Sequence, residues 1–204
     1  MNFAEIIPIN DAVFPLWIKI AYTLFVIILV PVYWKNWGLA NFLWFSDVAL
    51  FGTLVALWME SSLIASMMGV AVLFPEVAWN VSYFTRLLTG KNIFSLTDYM
   101  FDENRSLFLR SLSLFHVFIP ILILWLIADI GFHNDSLYYQ TLFGWTVLLV
   151  TYFFTDAKEN INWVFGPGSS PQKKINPHIY FFIVMLAFPL ALYLPTYLFL
   201  RFIF

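Results

Sequence analysis

Asp47, Glu76 and His116 each lie inside a long apolar stretch of the chain. An ionisable side chain is costly to keep there, so it faces a bundle interior or water rather than lipid and marks a candidate functional position. Two carboxylates and one imidazole can share a proton, hold a cation, or act as general acid and base. Ser113 stands one helical turn before His116, and Ser46 directly precedes Asp47. Either hydroxyl beside the imidazole would complete a serine–histidine–carboxylate grouping, in which the serine is the nucleophile and the acid orients the base. His116, Asp47, Glu76 and Ser113 are the candidate catalytic set.

A second polar group stands nearer one end of the same stretches. Asn41, Asn80, Asp156, Glu159, Asn162 and His178 are the candidate binding residues, and with the first set they would outline a polar cavity opening inward. The three histidines, at positions 116, 133 and 178, are too few and too scattered for a histidine-rich zinc site. The absence of cysteine removes thiolate metal sites, disulfides and thiol nucleophiles. No metal and no cofactor is expected.

The elements that must carry these residues follow from composition. Of 204 residues, 62% are hydrophobic and 11% charged, whereas a soluble domain carries roughly a quarter charged residues. The fold class is an all-α, polytopic membrane helix bundle forming a single domain over residues 1–204. Six stretches are long enough to cross a hydrocarbon core, which takes about 20 helical residues. They run from Leu16 to Trp34, Gly38 to Met59, Ser62 to Leu88, Ser106 to Ile130, Asp135 to Ala157 and His178 to Arg201. Prolines 31, 75, 120, 189 and 195 fall inside them and read as tolerated kinks. The first fifteen residues contain no Lys or Arg and show no signal-peptide pattern.

Charge sets the expected orientation. Lys35, then Arg86, Lys91, Arg105 and Arg110, then Lys158, Lys173 and Lys174 follow the first, third and fifth stretches, while Lys19 and Arg201 alone fall on the other side. Connections 89–105 and 158–177 are then cytoplasmic and both termini outside, by the positive-inside rule. Lys19 and Arg201 read as snorkelling anchors, and Trp17, Trp34, Trp37, Trp58, Tyr193 and Tyr197 as interfacial aromatic belts. Within the first long connection, Ser95 to Asp98 resembles a helix start. With twelve acids, ten bases and no basic block longer than Lys173–Lys174, no nucleic-acid partner is expected.

Helical spacing places Ser62, Ser66, Gly69, Glu76, Asn80 and Tyr83 on one stripe, and Ser106, Arg110, Ser113 and His116 on another. Counted along continuous helices, Asp47, Glu76 and His116 lie roughly 14, 18 and 15 Å from the cytoplasmic ends of their spans. They share one depth near the midplane.

From His116 onward the chain resembles the YwaF-like integral membrane proteins of bacteria, whose animal relatives are described as phospholipid acyltransferases. The resemblance rests on Leu112-Ser-Leu-Phe-His116, the Asn160-Ile-Asn-Trp163 segment, the Pro171 turn and the final Tyr193-Leu-Pro-Thr196. It implies a catalytic role for His116. Family members also carry a cysteine implicated in acyl transfer, which this chain lacks. The whole chain resembles bacterial proteins described only as membrane-associated, which implies the cytoplasmic (inner) membrane.

The leading expectation is a lipid-handling protein, performing acyl transfer or hydrolysis by His–carboxylate acid–base chemistry, with membrane lipids as its partners. The alternatives are a proton- or cation-coupled transporter or channel, with homo-oligomerisation supplying symmetry, and a non-catalytic subunit of a membrane complex.

Overall fold

The computed structural model describes residues 14–168 and 170–204, so the expectation about a signal peptide falls almost wholly outside the described residues. Among these residues the structure is helical and contains no strand. Helix α1 (Leu16–Trp37) ends at Gly38, whose φ of 82° stops the helix where a side chain would be strained. A 3-10 turn (Leu39–Leu43) follows, and α2 (Phe45–Met59) begins only afterwards. A two-residue turn, with Glu60 left-handed and Ser61 capping the next helix through Ile64 N, leads into α3 (Ser62–Thr89).

Helix α3 is the central element and packs against α2 and against the later helices Phe115–Ile130, Ser136–Phe154 and Leu194–Ile203. After it come a 3-10 stretch (Ser95–Phe101), α4 (Leu107–Leu112), a two-residue turn at Ser113–Leu114, and α5 (Phe115–Ile130). Helix α6 (Ser136–Phe154) and a turn-rich connection precede α7 (Pro177–Ala187), a π-turn (Phe188–Tyr193) and α8 (Leu194–Ile203).

Among the described residues four segments are long and apolar enough to cross a membrane: Leu16–Trp37, Ser62–Thr89, Leu107–Ile130 and Pro177–Ile203. The other two expected spans are less complete. Helix α2 has only 15 residues, because the 3-10 turn takes the start of the stretch, and α6 has 19, with Tyr138, Tyr139, Gln140 and Thr141 in its first half.

Small residues let the helices approach. A Cβ added at Gly69 would lie 3.1–3.2 Å from Ile127, Leu200 and Ile123, so α3 meets α5 and α8 through this glycine. Exposed Leu, Ile and Phe side chains cover the outside of the bundle, as a lipid-facing surface requires.

Two expected surface roles do not hold. Lys19 is 6% exposed and its ammonium pairs with Glu60 Oε1 at 2.8 Å, so it ties α1 to the α2–α3 turn instead of reaching the headgroups. Tyr193 and Tyr197 are buried, whereas Trp17, Trp34 and Trp58 are exposed in keeping with a belt. The reason is rotational: Tyr193 points into the gap that Gly144 leaves on α6, where a Cβ would lie 2.6 Å from its hydroxyl.

Candidate functional site

Proline 120 creates the first part of the site. Having no N–H, it cannot donate to the carbonyl four residues earlier, that of His116. Asn80, on α3, supplies the missing donor: its Nδ2 donates to His116 O at 2.7 Å and to Glu76 O at 2.8 Å. One amide therefore clamps the backbones that carry Glu76 and His116. The two side chains meet directly, with His116 Nδ1 2.7 Å from Glu76 Oε2. Their side chains are 12% and 3% exposed, so the contact is shielded on nearly every side. Trp79 stacks on the imidazole at 4.5 Å, and Phe115 lies against it at 4.1 Å. His116 Nε2 has no hydrogen-bond partner among the described residues.

Asp47 is close enough to Glu76 for their charges to interact, yet it is held by different partners. Its Oδ2 accepts from Asn41 Nδ2 at 3.4 Å, and its buried Oδ1 has no hydrogen-bond partner among the described residues. Two of the stretches expected to be continuous helices are interrupted. Asp47 falls in the first turn of α2, and His116 is the second residue of α5, because the chain breaks at residues 38–44 and 113–114. In that first turn the helix dipole favours a negative charge.

The Ser113 hydroxyl does not bond to the His116 imidazole; the two residues meet only through the backbone, His116 N donating to Ser113 O at 3.3 Å. Ser113 instead shares a 2.6 Å hydrogen bond with the Tyr33 hydroxyl, and it occupies the turn between α4 and α5 instead of a continuous helix face.

The remaining sequence-selected residues divide. Asn41 and Asn80 join the Asp47 and Glu76–His116 groups respectively. Asn162 makes a backbone clip: its Oδ1 accepts from Phe45 N at 3.1 Å and its Nδ2 donates to Leu43 O at 2.7 Å, securing the break before α2. Asp156, Glu159 and His178 are exposed, and none bonds to Asp47, Glu76 or His116. Asp156 Oδ1 accepts from Lys158 N at 2.8 Å, and His178 Nδ1 meets the Tyr152 hydroxyl at 3.1 Å. No group of three or more His, Asp or Glu side chains among the described residues is placed to hold a metal ion.

Sequence reasoning missed the aromatic floor. Tyr99, from the 3-10 stretch, accepts from Trp79 Nε1 at 3.2 Å beside the histidine. Burial pushes the Tyr99 phenol pKa up, so this hydroxyl keeps its proton throughout the ordinary pH range. Arg86–Asp98, Arg110 Nη1 to Met100 O at 2.9 Å, and Ser82 to Phe94 O at 2.8 Å pin that stretch against the helices. The capping pattern from Ser95 to Asp98 was the only sequence signal for it.

No protein-family model matches the chain, and no curated protein or solved structure is similar to it at the level of significance required. The chemistry must be read from the site itself. Two grooves lie near these elements. One of about 400 Å³ runs along α3 and is lined by Asn80, Val81, Phe84, Thr85, Leu88 and Thr89. Another, of about 210 Å³, lies between Trp163 and the α7–π-turn segment. Neither is lined by Asp47, Glu76 or His116. Asn80 links the first groove to the clamped pair.

Proposed function

We propose that this chain is a six-span membrane protein whose Glu76–His116 pair is an acid–base centre acting on a lipid. The carrying observation is the 2.7 Å contact of Glu76 with Nδ1, which leaves Nε2 unbonded among the described residues. A carboxylate on Nδ1 fixes the tautomer that presents a basic lone pair at Nε2, and it stabilises the imidazolium formed when that nitrogen takes a proton. Nε2 would remove the proton from a hydroxyl or water as its oxygen bonds to an ester carbonyl. The tetrahedral intermediate then expels the alcohol oxygen, which recovers the proton from Nε2. Because Ser113 is engaged by Tyr33, the attacking hydroxyl belongs to a second substrate or to water. The groove along α3, mostly apolar and beginning at Asn80, has the character needed by an acyl chain.

The test is lipid profiling of membranes containing wild type or His116→Ala at equal expression. A lipid pool that changes with wild type and reverts with the variant supports the reading. Identical pools would overturn it.

The charge pattern supports an arrangement with residues 89–105 and 158–177 in the cytoplasm and both termini outside. Cysteines placed singly at Asn134 and Ser170 should then label oppositely with an impermeant reagent, Asn134 alone reacting from the outside.

One observation favours a second reading, proton-coupled transport. Asp47 and Glu76 lie near enough to interact electrostatically, and Asp47 Oδ1 is buried with no hydrogen-bond partner among the described residues, an arrangement suited to holding an exchangeable proton. Proteoliposome flux under a pH gradient would support it, and absence of proton, cation or metabolite flux would remove it.

A further inference from the structure

A lipid that is to meet His116 needs a way in, and neither groove reaches the imidazole. Phe115 packs against that ring at 4.1 Å between ring centres, and Trp79 stacks on it at 4.5 Å. The two covers are anchored differently. Phe115 is 1% exposed and stands next to His116 on the same helix, so it moves only with α5. Trp79 is held by a separate element: its Nε1 donates to the Tyr99 hydroxyl at 3.2 Å, and Tyr83, stacked on it at 5.1 Å, lies against Phe101 at 5.7 Å. Tyr99 and Phe101 both belong to the 3-10 stretch, Ser95–Phe101. That stretch closes the Trp79 side of the site.

The way the stretch is attached suits it to move. Residues 87–95 before it are exposed, and Gly90 among them has a φ of 72° and nothing within 4 Å of where a Cβ would stand, so the chain can turn there without collision. After it, Glu103 and Asn104 are exposed in a turn closed by Arg105 N donating to Asp102 O at 3.1 Å. Polar contacts tie the stretch and its leading residue to the helices: Ser82 Oγ donates to Phe94 O at 2.8 Å and meets the Thr97 hydroxyl at 3.2 Å, and Arg110 Nη1 donates to Met100 O at 2.9 Å. The remaining tie is the ion pair of Arg86 with Asp98, whose side chains are 25% and 52% exposed. Water and salt compete for a pair so placed. We propose that residues 95–101 are a lid over the acid–base pair, hinged at Gly90 and at Glu103–Asn104 and latched by Arg86–Asp98, and that its opening uncovers the imidazole. When Tyr99 leaves, the Trp79 indole loses its acceptor; when Phe101 leaves, Tyr83 is free to move off the indole. Trp79 can then swing away from His116.

The lid admits substrate to the pair read as an acid–base centre acting on a lipid, so the inference rests on that reading, and the experiment separates the two. The full chain in lipid nanodiscs is treated with diethyl pyrocarbonate, and modification of His116 is timed by mass spectrometry of its peptide. Asp98→Ala should speed it by up to about fivefold, the upper range for losing an exposed ion pair. An unchanged rate would overturn the latch. The Ser82 and Thr97 hydroxyls are 3.2 Å apart and the chain has no cysteine of its own, so Ser82→Cys with Thr97→Cys makes a disulfide that ties the lid to α3. Oxidised, this double variant should lose most of the reactivity of His116, and reduction with dithiothreitol should restore it. His178, exposed and away from the lid, should react at one rate in every form. Equal His116 rates in the oxidised and reduced forms would overturn the lid, whatever the lipid profile shows. A rate that follows the disulfide, together with lipid pools indifferent to His116→Ala, would support the lid and overturn the lipid reading.

Discussion

Two regions of the bundle use the same backbone device to different ends. In α5, Pro120 frees the carbonyl of His116, and Asn80 on α3 donates to it at 2.7 Å. In α7 and its π-turn, Pro189 frees the carbonyl of Met185, and Trp145 on α6 donates to it, also at 2.7 Å. Each proline removes one helical hydrogen bond, and each vacancy is filled by a side chain from a neighbouring helix, as an apolar surround demands. Around Met185 the consequence is packing: the π-turn brings Tyr193 against Phe45, Phe188 and Gly144. Around His116 the freed carbonyl belongs to an ionisable residue, and its donor also bonds to Glu76, so the same repair positions an acid–base pair. The device is structural in both places; the side chain at the freed carbonyl decides whether it also carries chemistry.

The largest effect is expected where the comparison is broken at its charged end. Glu76→Leu should cost about 3–5 kcal/mol, because it leaves His116 buried without its partner. Glu76→Gln should be milder. The double variant Glu76→Leu, His116→Leu should lose less than the sum of the single changes, as judged by thermal unfolding in detergent. Strict additivity would mean that the 2.7 Å contact carries no coupling.

Next come the two donors. Asn80→Ala and Trp145→Phe should each cost about 1–3 kcal/mol by stranding a carbonyl. Only Asn80→Ala should also change the lipid profile. Restoring a backbone N–H sharpens the contrast. Pro120→Ala should recover much of the stability lost in Asn80→Ala, and Pro189→Ala much of that lost in Trp145→Phe, with no recovery when the two prolines are exchanged. Rescue by the wrong proline would refute the assignment of donors to carbonyls.

The smallest effect lies outside the bundle. Asp102 is partly exposed, and its carboxyl is held below the usual aspartate value by Asn104, through backbone and then side-chain hydrogen bonds, and by Arg105. A lowered folded pKa contributes stability that is present at neutral pH and lost as the pH falls from about 3.8 through the folded value. The Asn104 amide resonance should therefore titrate with a midpoint below 3.8, and Asp102→Asn should abolish that titration.

Much of this was legible before any coordinates. Apolar stretches interrupted by single ionisable residues require a helical bundle with those residues turned inward, since helices satisfy their own backbone groups and lipid does not tolerate stray charge. The carbonyls of His116 and Met185 were readable too, as each stands four residues before a proline. Their donors were not. Asn80 looked like a residue for binding substrate, and Trp145 offered no signal at all.

What only the tertiary structure decided was pairing. Lys19 has the chemistry of an anchor but meets Glu60; Ser113 has the spacing of a nucleophile but meets Tyr33; Asn162 stands near Glu159 in sequence but holds the chain at Leu43 and Phe45. The breaks before α2 and α5 were also settled only in the tertiary structure, because counting along a continuous helix assumes that no turn intervenes. Sequence periodicity determines which side of a helix is polar. The partner on that side depends on how far neighbouring helices slide and rotate, and close contacts such as those at Gly69 and Gly144 set both through packing across the whole bundle.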